Sequence, residues 1–274
     1  MGHGTVSILG CGWLGSALGK VLAEKGFSVK GSVTSPEKFT TLFSAGISPF
    51  RLLLSPEELV IEEPDFFETD ILIISVPPRR ITGIEEVYPD QIRQIIPYIV
   101  MFGIEKVIFI SSTSVYPENN QHATESDQFS PDKESGIALL LAENLLTSQT
   151  DFRTTVLRFG GLIGADRNPA KFLLKSTRTI ANAPVNLIHR DDCIGIITAI
   201  IEQNLWGETL NACSPEHPLK KEFYGKAAQI SGLPEPQVGE KVETFKTIDS
   251  RKLMQLLNYK FIYSSPMEYL DSLE

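Results

Sequence analysis

The sequence predicts an α/β protein with a doubly wound parallel sheet and a smaller, mainly helical C-terminal part. Three observations support this. Thr5–Gly26 has the pattern of a strand, a glycine-rich turn and a helix, in that order. Up to Phe159, short apolar segments alternate with helical segments. Several of these segments are continuously apolar, which is typical of strands buried on both faces of a parallel sheet. Because ligands of such sheets bind beyond the carboxyl ends of the strands, residues that follow strands are the candidate site residues.

The first strand and helix flank a G-x-G-x-x-G motif formed by Gly10, Gly12 and Gly15. The first glycine allows a tight turn, the second lets the backbone approach phosphates, and the third lets the helix pack closely on the strand. The helix that follows directs its positive end toward an anion. The motif predicts a Rossmann-type dinucleotide site that includes Gly10, Cys11, Gly12, Trp13, Leu14 and Gly15.

The remaining elements up to Phe159 follow from apolar periodicity and from the positions of proline and glycine. The predicted strands are Thr5–Leu9, Phe27–Val33, Ile47–Leu54, Ile71–Val76, Lys106–Ile110 and Thr154–Phe159. The predicted helices are Ser16–Gly26, Pro36–Gly46, Tyr88–Phe102 with a kink at Pro97, and Ser135–Thr147. The acidic segment 57–70 is expected to be a solvated connection, and Asn119–Pro131 a polar loop with a solvated His122.

Beyond Gly164 the pattern becomes irregular. Predicted helices separated by proline- and glycine-containing loops cover Ala170–Ala181, Asp192–Gln203, Glu222–Ser231 and Ser250–Asn258, with Asp192 as an N-cap. The predicted domains are therefore a dinucleotide-binding domain at 1–164 and a smaller part at 165–274 that covers the cleft. Whether later segments return to the first domain stays open.

Composition limits the classes of partner. The chain has 25 Lys and Arg against 34 Asp and Glu, a net charge of −9, which argues against nucleic acid or an anionic membrane as partner. Its cysteines, Cys11, Cys193 and Cys213, are too few and too scattered for a disulfide framework or a metal site. No signal peptide precedes the first strand, and no apolar segment approaches the roughly 18 residues of a membrane span. We therefore expect a cytoplasmic protein with a small-molecule substrate, no metal, and an oligomeric state that stays open, a homodimer included.

Several later motifs add a family resemblance. The segment SSTSVYP at Ser111–Pro117 follows an apolar strand, LRFGGLIG follows at Leu157–Gly164, and IHRDD precedes an apolar helix. In this order they resemble the extended short-chain dehydrogenase/reductase family, which contains NAD(P)-dependent sugar-nucleotide epimerases and dehydratases. The resemblance implies a catalytic hydroxyl at Ser112 and a second polar group facing the substrate at Ser114. The alternative is that both hydroxyls bond nearby backbone in a strand-end turn.

The departures from the family are informative. Family members carry a catalytic Tyr and Lys four residues apart on the helix after this strand, where the Tyr acts as general acid or base. Aligning Ala142-Glu143 with the family's usual Ala-Glu places Ser135 at the Tyr position and Leu139 at the Lys position. Gly160-Gly161 stands where many members use an Asn, and Leu9 where they have Gly. The chain thus resembles the atypical branch that lacks the Tyr/Lys pair. Two functions stay open, an unusual oxidoreductase or epimerase-like enzyme and a non-catalytic NADP(H) sensor of the NmrA-like kind.

The second strand indicates which dinucleotide is bound. NAD-binding proteins usually place Asp or Glu at its end, whereas this chain has Val33-Thr34-Ser35 with Lys38 nearby. Hydroxyls and a cation accept a 2′-phosphate, so NADP is predicted over NAD. The other predicted cofactor contacts follow the central strands, at Ser75, Val76, Pro77 and Ser111.

Four further residues are candidates for ligand contacts. Arg79 and Arg80 bind an anion or are solvated. Arg167 resembles a family Arg that meets a substrate phosphate. His189 is predicted to be packed rather than catalytic.

Overall fold

A single large sheet organises the chain. The computed structural model describes residues 4–55, 58–128, 130–164, 166–167, 169–170, 180–239 and 244–274. The strands of the main sheet are β1 (Thr5–Leu9), β2 (Ser28–Val33), β3 (Ile47–Leu54), β4 (Leu59–Ile61), β5 (Ile71–Ile74), β6 (Lys106–Ser112), β8 (Arg153–Phe159) and β12 (Thr209–Ala212). Their order is β12-β8-β6-β5-β1-β2-β3-β4, and the pairs are parallel except for the antiparallel pair of β3 and β4. The predicted doubly wound parallel sheet is confirmed.

Among the described residues, shorter strands form three two-stranded pairs outside this sheet. They are β7 (Gln121–Ala123) with β14 (Lys246–Ile248), β9 (Gly161–Ile163) with β11 (Leu187–His189), and β10 (Ile180–Ala181) with β13 (Val238–Gly239).

Helices cover both faces of the main sheet, and each face has its own apolar layer. The described helices are α1 (Trp13–Glu24), α2 (Phe39–Ser44), α3 (Ile84–Arg93), α4 (Ile96–Met101), α5 (Glu134–Thr147), α6 (Arg190–Glu202), α7 (Lys220–Ile230), α8 (Arg251–Leu257) and α9 (Pro266–Asp271). One layer holds α1 and α6 against the sheet, and the other holds α3, α4 and α5. This arrangement leaves the carboxyl ends of the strands for ligands.

The segment 57–70 is not a solvated connection, which corrects the prediction. Leu59–Ile61 forms β4 at the sheet edge, and Pro64–Phe67 forms a short 3₁₀ helix. Phe66 and Phe67 are fully buried, with their ring centroids 5.1 Å apart. Because acidic residues surround this apolar pair in the sequence, its burial was not predicted. The pair belongs to the same apolar layer as the buried side chains of β3.

The helix predicted over Tyr88–Phe102 is two helices, α3 and α4, and the first begins earlier, at Ile84. Pro97 explains the break, because a proline has no N–H to donate to a carbonyl one turn back. It lies instead in the first turn of α4, where that donor is not needed. Similarly, Pro36–Gly46 divides into a 3₁₀ turn at Pro36–Lys38 and the shorter α2.

The polar region Asn119–Pro131 contains a strand that the sequence did not predict. In it, β7 pairs in parallel with β14, and Gln121 lies opposite Lys246. His122 is exposed, as expected, but its ring Nδ1 also contacts the Thr247 hydroxyl.

One prediction for the C-terminal part is corrected, one strand was not predicted, and one predicted helix lies mostly outside the described residues. Asp192 is not the N-cap of α6, because His189 occupies that position and its Nδ1 accepts a hydrogen bond from the Asp191 N–H at 3.2 Å. Asp192 is fully buried instead, and its carboxylate accepts hydrogen bonds from the backbone N–H groups of Ile262 and Tyr263. The sequence also missed β12, which pairs with β8 and brings the C-terminal part into the main sheet. Of the helix predicted at Ala170–Ala181, residues 171–179 lie outside the described residues, and its last two residues form β10.

Candidate functional site

The glycine motif forms a tight turn between β1 and α1. Gly10 has a φ of +101°, and a Cβ there would lie 2.9 Å from the Ser75 carbonyl oxygen. A Cβ on Gly15 would lie only 2.4 Å from the Gly10 carbonyl oxygen, so this position requires the close approach that glycine permits. A Cβ on Gly12 would meet nothing within 4 Å, which leaves the outer face of the turn open. Among the described residues, no side chain caps α1 and its first turn has no acidic residue. The turn therefore offers an open helix N-terminus to an anion.

Cys11 is a packing residue within this turn. Its backbone N–H donates to the Ser32 carbonyl at 2.8 Å, and the Gly10 N–H donates to the Ser32 hydroxyl at 2.9 Å. Burial raises the pKa of the Cys11 thiol to about 12, which leaves little thiolate at neutral pH. Cys11 therefore supports the turn rather than acting as a nucleophile.

One pocket, here called the Thr34 pocket, lies on the β2 side of the glycine turn and has a volume of about 230 Å³. Thr34, Lys38, Val76 and Pro77 line it as predicted site residues, whereas Ser35 does not. Arg79 also lines this pocket. From the sequence alone, Arg79 had two interpretations, binding of an anion or exposure to solvent. The described lining includes no carboxylate. This pocket thus combines a hydroxyl with two cations, a combination suited to a phosphate group.

A second pocket, here called the Ser112 cleft, lies on the β5 and β6 side of the same turn and has a volume of about 500 Å³. It shares Gly10, Gly12, Ser75 and Pro77 with the Thr34 pocket, so the glycine turn lies between the two. Its further lining includes Trp13, Leu14, Gly15, Arg80, Ser111, Ser112, Ser114, Ser135, Leu139, Gly160 and Arg167. The structure therefore brings most of the predicted site residues together around one turn.

Hydroxyl groups line the part of the cleft that follows β6. Ser112 is half-buried, and its Oγ accepts a hydrogen bond from the Ser114 N–H at 3.2 Å, which leaves the Ser112 hydroxyl proton available. Ser111 is buried, and its hydroxyl donates to Glu143. Ser135 and Leu139 lie one helical turn apart on α5 and both face the cleft. Of the described lining residues, only Arg80 and Arg167 carry an ionisable side chain.

A buried polar network supports these hydroxyls from behind. The Arg158 guanidinium on β8 donates to both carboxylate oxygens of Glu143 on α5 and to the Tyr116 hydroxyl, the last at 2.6 Å. Tyr116 in turn donates to Asn211 Oδ1 at 2.8 Å. Burial alone would lower the pKa of Arg158, but hydrogen bonds with Glu143 and the charges of Glu143 and Tyr116 raise it overall. The network fixes the carboxyl end of β6 relative to α5, β8 and β12.

Trp13 connects the glycine turn to the segment after β9. The guanidinium carbons of Arg167 and Arg190 lie 4.3 Å and 4.8 Å from the centroid of its ring. A Cβ on Gly164 would lie 3.0 Å from the indole, so glycine permits this close contact. Arg190 also pairs with Asp166, at 3.2 Å. Arg167 thus lines the cleft and is held against the indole by a cation–π contact.

The Gly160-Gly161 turn meets a residue that the sequence did not single out. The Gly161 N–H donates to the Asn186 carbonyl at 2.8 Å, and a Cβ on Gly160 would lie 2.9 Å from that same oxygen. A larger residue at position 160 would displace the loop before β11. The paired glycines therefore let Asn186 approach the end of β8.

In the described part of the chain, no three or more His, Cys, Asp and Glu residues are arranged to hold a metal ion. No helix there is both long and apolar enough to cross a membrane.

Comparisons with known proteins match this fold. The sequence model of the NAD dependent epimerase/dehydratase family matches residues 6–211. Protein YeeZ of Escherichia coli strain K12 is 31% identical over 267 residues, which cover 96% of this chain and 97% of YeeZ. A functionally unknown conserved protein from Silicibacter pomeroyi aligns with a TM-score of 0.78 at 20% identity, covering 98% of each chain. MoeE5 in complex with UDP-glucose and NAD aligns with a TM-score of 0.78 at 17% identity, covering 98% of this chain and 96% of MoeE5.

Proposed function

We propose a function from one established premise, that the chain belongs to the NAD-dependent epimerase/dehydratase family. In this proposal the protein binds NADP(H) across the glycine turn and is an oxidoreductase or epimerase-like enzyme for a small molecule. The observation that carries it is the open face at Gly12, which separates the Thr34 pocket from the Ser112 cleft. A dinucleotide has two nucleoside halves joined by a pyrophosphate, and this arrangement matches that shape.

The residues present fit such a cofactor. The N-terminus of α1 and the open face at Gly12 would hold the pyrophosphate. The Thr34 pocket would hold the adenosine half, and its two cations support a 2′-phosphate and therefore NADP over NAD. The nicotinamide half would then occupy the Ser112 cleft, where the bound cofactor supplies hydride transfer.

Within the cleft, Ser112 is the residue placed to act on a substrate. Its hydroxyl would donate a hydrogen bond to a substrate carbonyl, while the Ser114 N–H donates to one lone pair of the hydroxyl oxygen. At the positions that the resemblance assigns to the family's Tyr and Lys, Ser135 and Leu139 supply no group that titrates near neutral pH. Bound water or a substrate group would have to move the proton. General acid–base groups contribute about 10²- to 10⁴-fold, so turnover of ordinary family substrates is expected to be weak.

A second function is favoured by one specific observation. The described lining of the Ser112 cleft contains no carboxylate, His, Lys, Tyr or Cys side chain. A site with hydroxyls and two arginines can bind a nicotinamide without catalysing proton transfer. A non-catalytic NADP(H) sensor is therefore the alternative.

Turnover measurements separate the two functions. The protein is incubated with NADP⁺ and, in separate reactions, with UDP-glucose, UDP-galactose, glucose 6-phosphate or glucuronate. Formation of NADPH is followed by absorbance, and sugar epimers, which share one mass, are separated by chromatography before mass spectrometry. An enzyme is expected to turn over slowly, and Ser112→Ala should reduce kcat by about 100-fold, as for loss of an oxyanion donor. Ser35→Ala, outside both pockets, is the control. Cofactor binding with different affinities for NADPH and NADP⁺, without turnover, would favour the sensor.

A further inference from the structure

A third cavity adjoins the Ser112 cleft and is here called the Lys246 cavity. It has a volume of about 260 Å³ and shares Ser112 and Ser114 with the cleft. Its other walls come from the segment after β6, the residues just before α5, the loop before β11, the beginning of α7, and β14. A molecule in this cavity would therefore lie beside the hydroxyl that the proposed function assigns to the reacting group.

Three lysines line the cavity, in a protein whose net charge is −9. Lys246 is half-buried and its Nζ donates to the Tyr116 carbonyl. Lys220 and Lys133 also line it, and neither has an ion-pair partner among the described residues. Ammonium groups gathered at a cavity of an acidic protein create a local site for an anion.

Two carboxylates share the lining and reduce this positive charge. Glu118 is exposed, and the Oδ2 atom of Asp132, also exposed, accepts a hydrogen bond from the Glu118 N–H at 2.7 Å. The lining still carries one more cation than anion. Burial lowers the pKa of Lys246, and the charge of Lys133 lowers this pKa further. The carboxylates of Glu118 and Asp132 raise it, but the net shift is downward. A bound anion would relieve the cost of keeping the Lys246 ammonium charged.

The Asn186 side chain indicates that a ligand in this cavity carries a hydrogen-bond donor. Its Nδ2 donates to the Lys246 carbonyl at 2.9 Å, which fixes the orientation of the amide. Its Oδ1 is buried and has no hydrogen-bond partner among the described residues. An acceptor in this state is costly unless a ligand donates to it. Tyr224, one turn after Lys220 on α7, also lines the cavity.

We propose that the Lys246 cavity binds a small hydroxylated anion, a sugar acid or a sugar phosphate, as the substrate of the proposed function. The lysines pair with its carboxylate or phosphate, and Asn186 Oδ1 accepts a hydrogen bond from one of its hydroxyls. Pockets for larger organic ligands measure about 300–1,000 Å³, so the cavity suits a monosaccharide-sized molecule rather than a nucleotide sugar. The substrate would thus differ from the UDP-glucose seen with MoeE5.

The chain offers a matched pair of lysines for the test. Lys220 lines the cavity, whereas its neighbour Lys221 is exposed and lies outside the lining. Wild type, Lys220→Met and Lys221→Met are each titrated by calorimetry with glucose 6-phosphate, glucuronate, glucose and UDP-glucose, with and without saturating NADPH. The phosphate and carboxylate probes distinguish the two sources of the anion. NADPH affinity is measured separately for each protein.

We expect glucose 6-phosphate or glucuronate to bind. Glucose should bind far more weakly, and UDP-glucose should bind no more tightly than whichever of the two acids has the higher affinity. Lys220→Met should weaken binding of the acid by about tenfold, which is typical when a charge-assisted hydrogen bond is lost. Lys221→Met should leave the affinity for the acid unchanged. Equal effects of the two variants, equal binding of glucose, or no binding of either acid would overturn the assignment. Loss of NADPH binding alone would overturn the proposed function, while a Lys220-dependent acid site would still stand.

Discussion

Glu143 on α5 and Arg158 on β8 form a buried ion pair in which the guanidinium contacts both carboxylate oxygens, its Nη2 lying 2.6 Å from Oε2. Both side chains are buried, and the pair also contacts Ser111 and Tyr116. Because of these contacts, the carboxyl end of β6 is held by two neighbouring elements. We infer that the pair positions the hydroxyls of the Ser112 cleft without contacting a ligand itself.

Breaking this pair should destabilise the fold. Glu143→Gln leaves the Arg158 charge buried without its counter-ion, which typically costs about 3–5 kcal/mol in the free energy of unfolding. Urea unfolding of the variant and of wild type measures this loss. Glu134→Gln, at an exposed position on the same helix, is the control and should change stability little. A loss below about 1 kcal/mol for Glu143→Gln would show that water reaches the pair.

The N-cap of α6 should make stability depend on pH. His189 is buried between the rings of Tyr263 and Tyr269, each with its centroid 4.6 Å away. Burial lowers the pKa of His189 below its ordinary 6.5, although the Asp191 carboxylate opposes this shift. The folded protein therefore keeps the ring neutral. As the pH falls below 6.5, the unfolded chain binds the proton first and the folded state loses stability, by about 1.4 kcal/mol per pH unit until the folded ring titrates.

The measurement compares free energies of unfolding at pH 7.5 and pH 5.5. His189→Asn keeps a side chain that can cap α6 but does not titrate, so its stability should fall less between the two pH values than that of wild type. His122→Asn changes an exposed histidine and should behave as wild type does. An identical pH dependence in wild type and His189→Asn would contradict this account.

Cofactor preference should depend on the cations of the Thr34 pocket. Arg79→Met should weaken NADP⁺ binding by about tenfold or more and leave NAD⁺ unchanged, since only NADP⁺ has a 2′-phosphate. Thr34→Asp should reverse the preference, because a carboxylate accepts ribose hydroxyls and repels the phosphate. Fluorescence titration of each variant with both dinucleotides measures the two affinities.

Arg80→Met is the matched control for this prediction. Arg80 follows Arg79 in the chain but lines the Ser112 cleft instead, so its loss should affect both dinucleotides alike. A selective loss of NADP⁺ binding in this variant, or a wild-type preference for NAD⁺, would show that the orientation proposed for the cofactor is wrong.

The sequence predicted the parts of this fold that depend on local pattern. Continuously apolar segments such as Ile71–Ile74, together with the glycine motif, were sufficient to predict the central strands and the turn. Elements that depend on distant partners escaped prediction. β7 and β14 are three residues long and their paired residues are 125 positions apart in the chain, so neither shows periodicity of its own.

The same reason explains which site residues were missed. Lys246 and Asn186 lie far from the glycine motif in sequence and reach the end of β6 only through the pairing of β14 and the approach of the loop to Gly160. The sequence alone leaves Arg79 with two interpretations, because nothing local indicates that it joins Lys38 in one pocket. The buried Phe66 and Phe67 were hidden by acidic neighbours, since charge was the dominant local pattern there.

Calorimetric titration of wild type and Gly12→Val with NADPH tests the central claim most directly. The valine side chain would project from the open face at Gly12 into the space assigned to the pyrophosphate, so binding should be lost while the fold is kept. Gly225→Val is the control, because a Cβ there also meets nothing within 4 Å and Gly225 lies outside all three pockets. The account predicts NADPH binding by wild type and Gly225→Val and none by Gly12→Val. Equal affinities for wild type and Gly12→Val would contradict it.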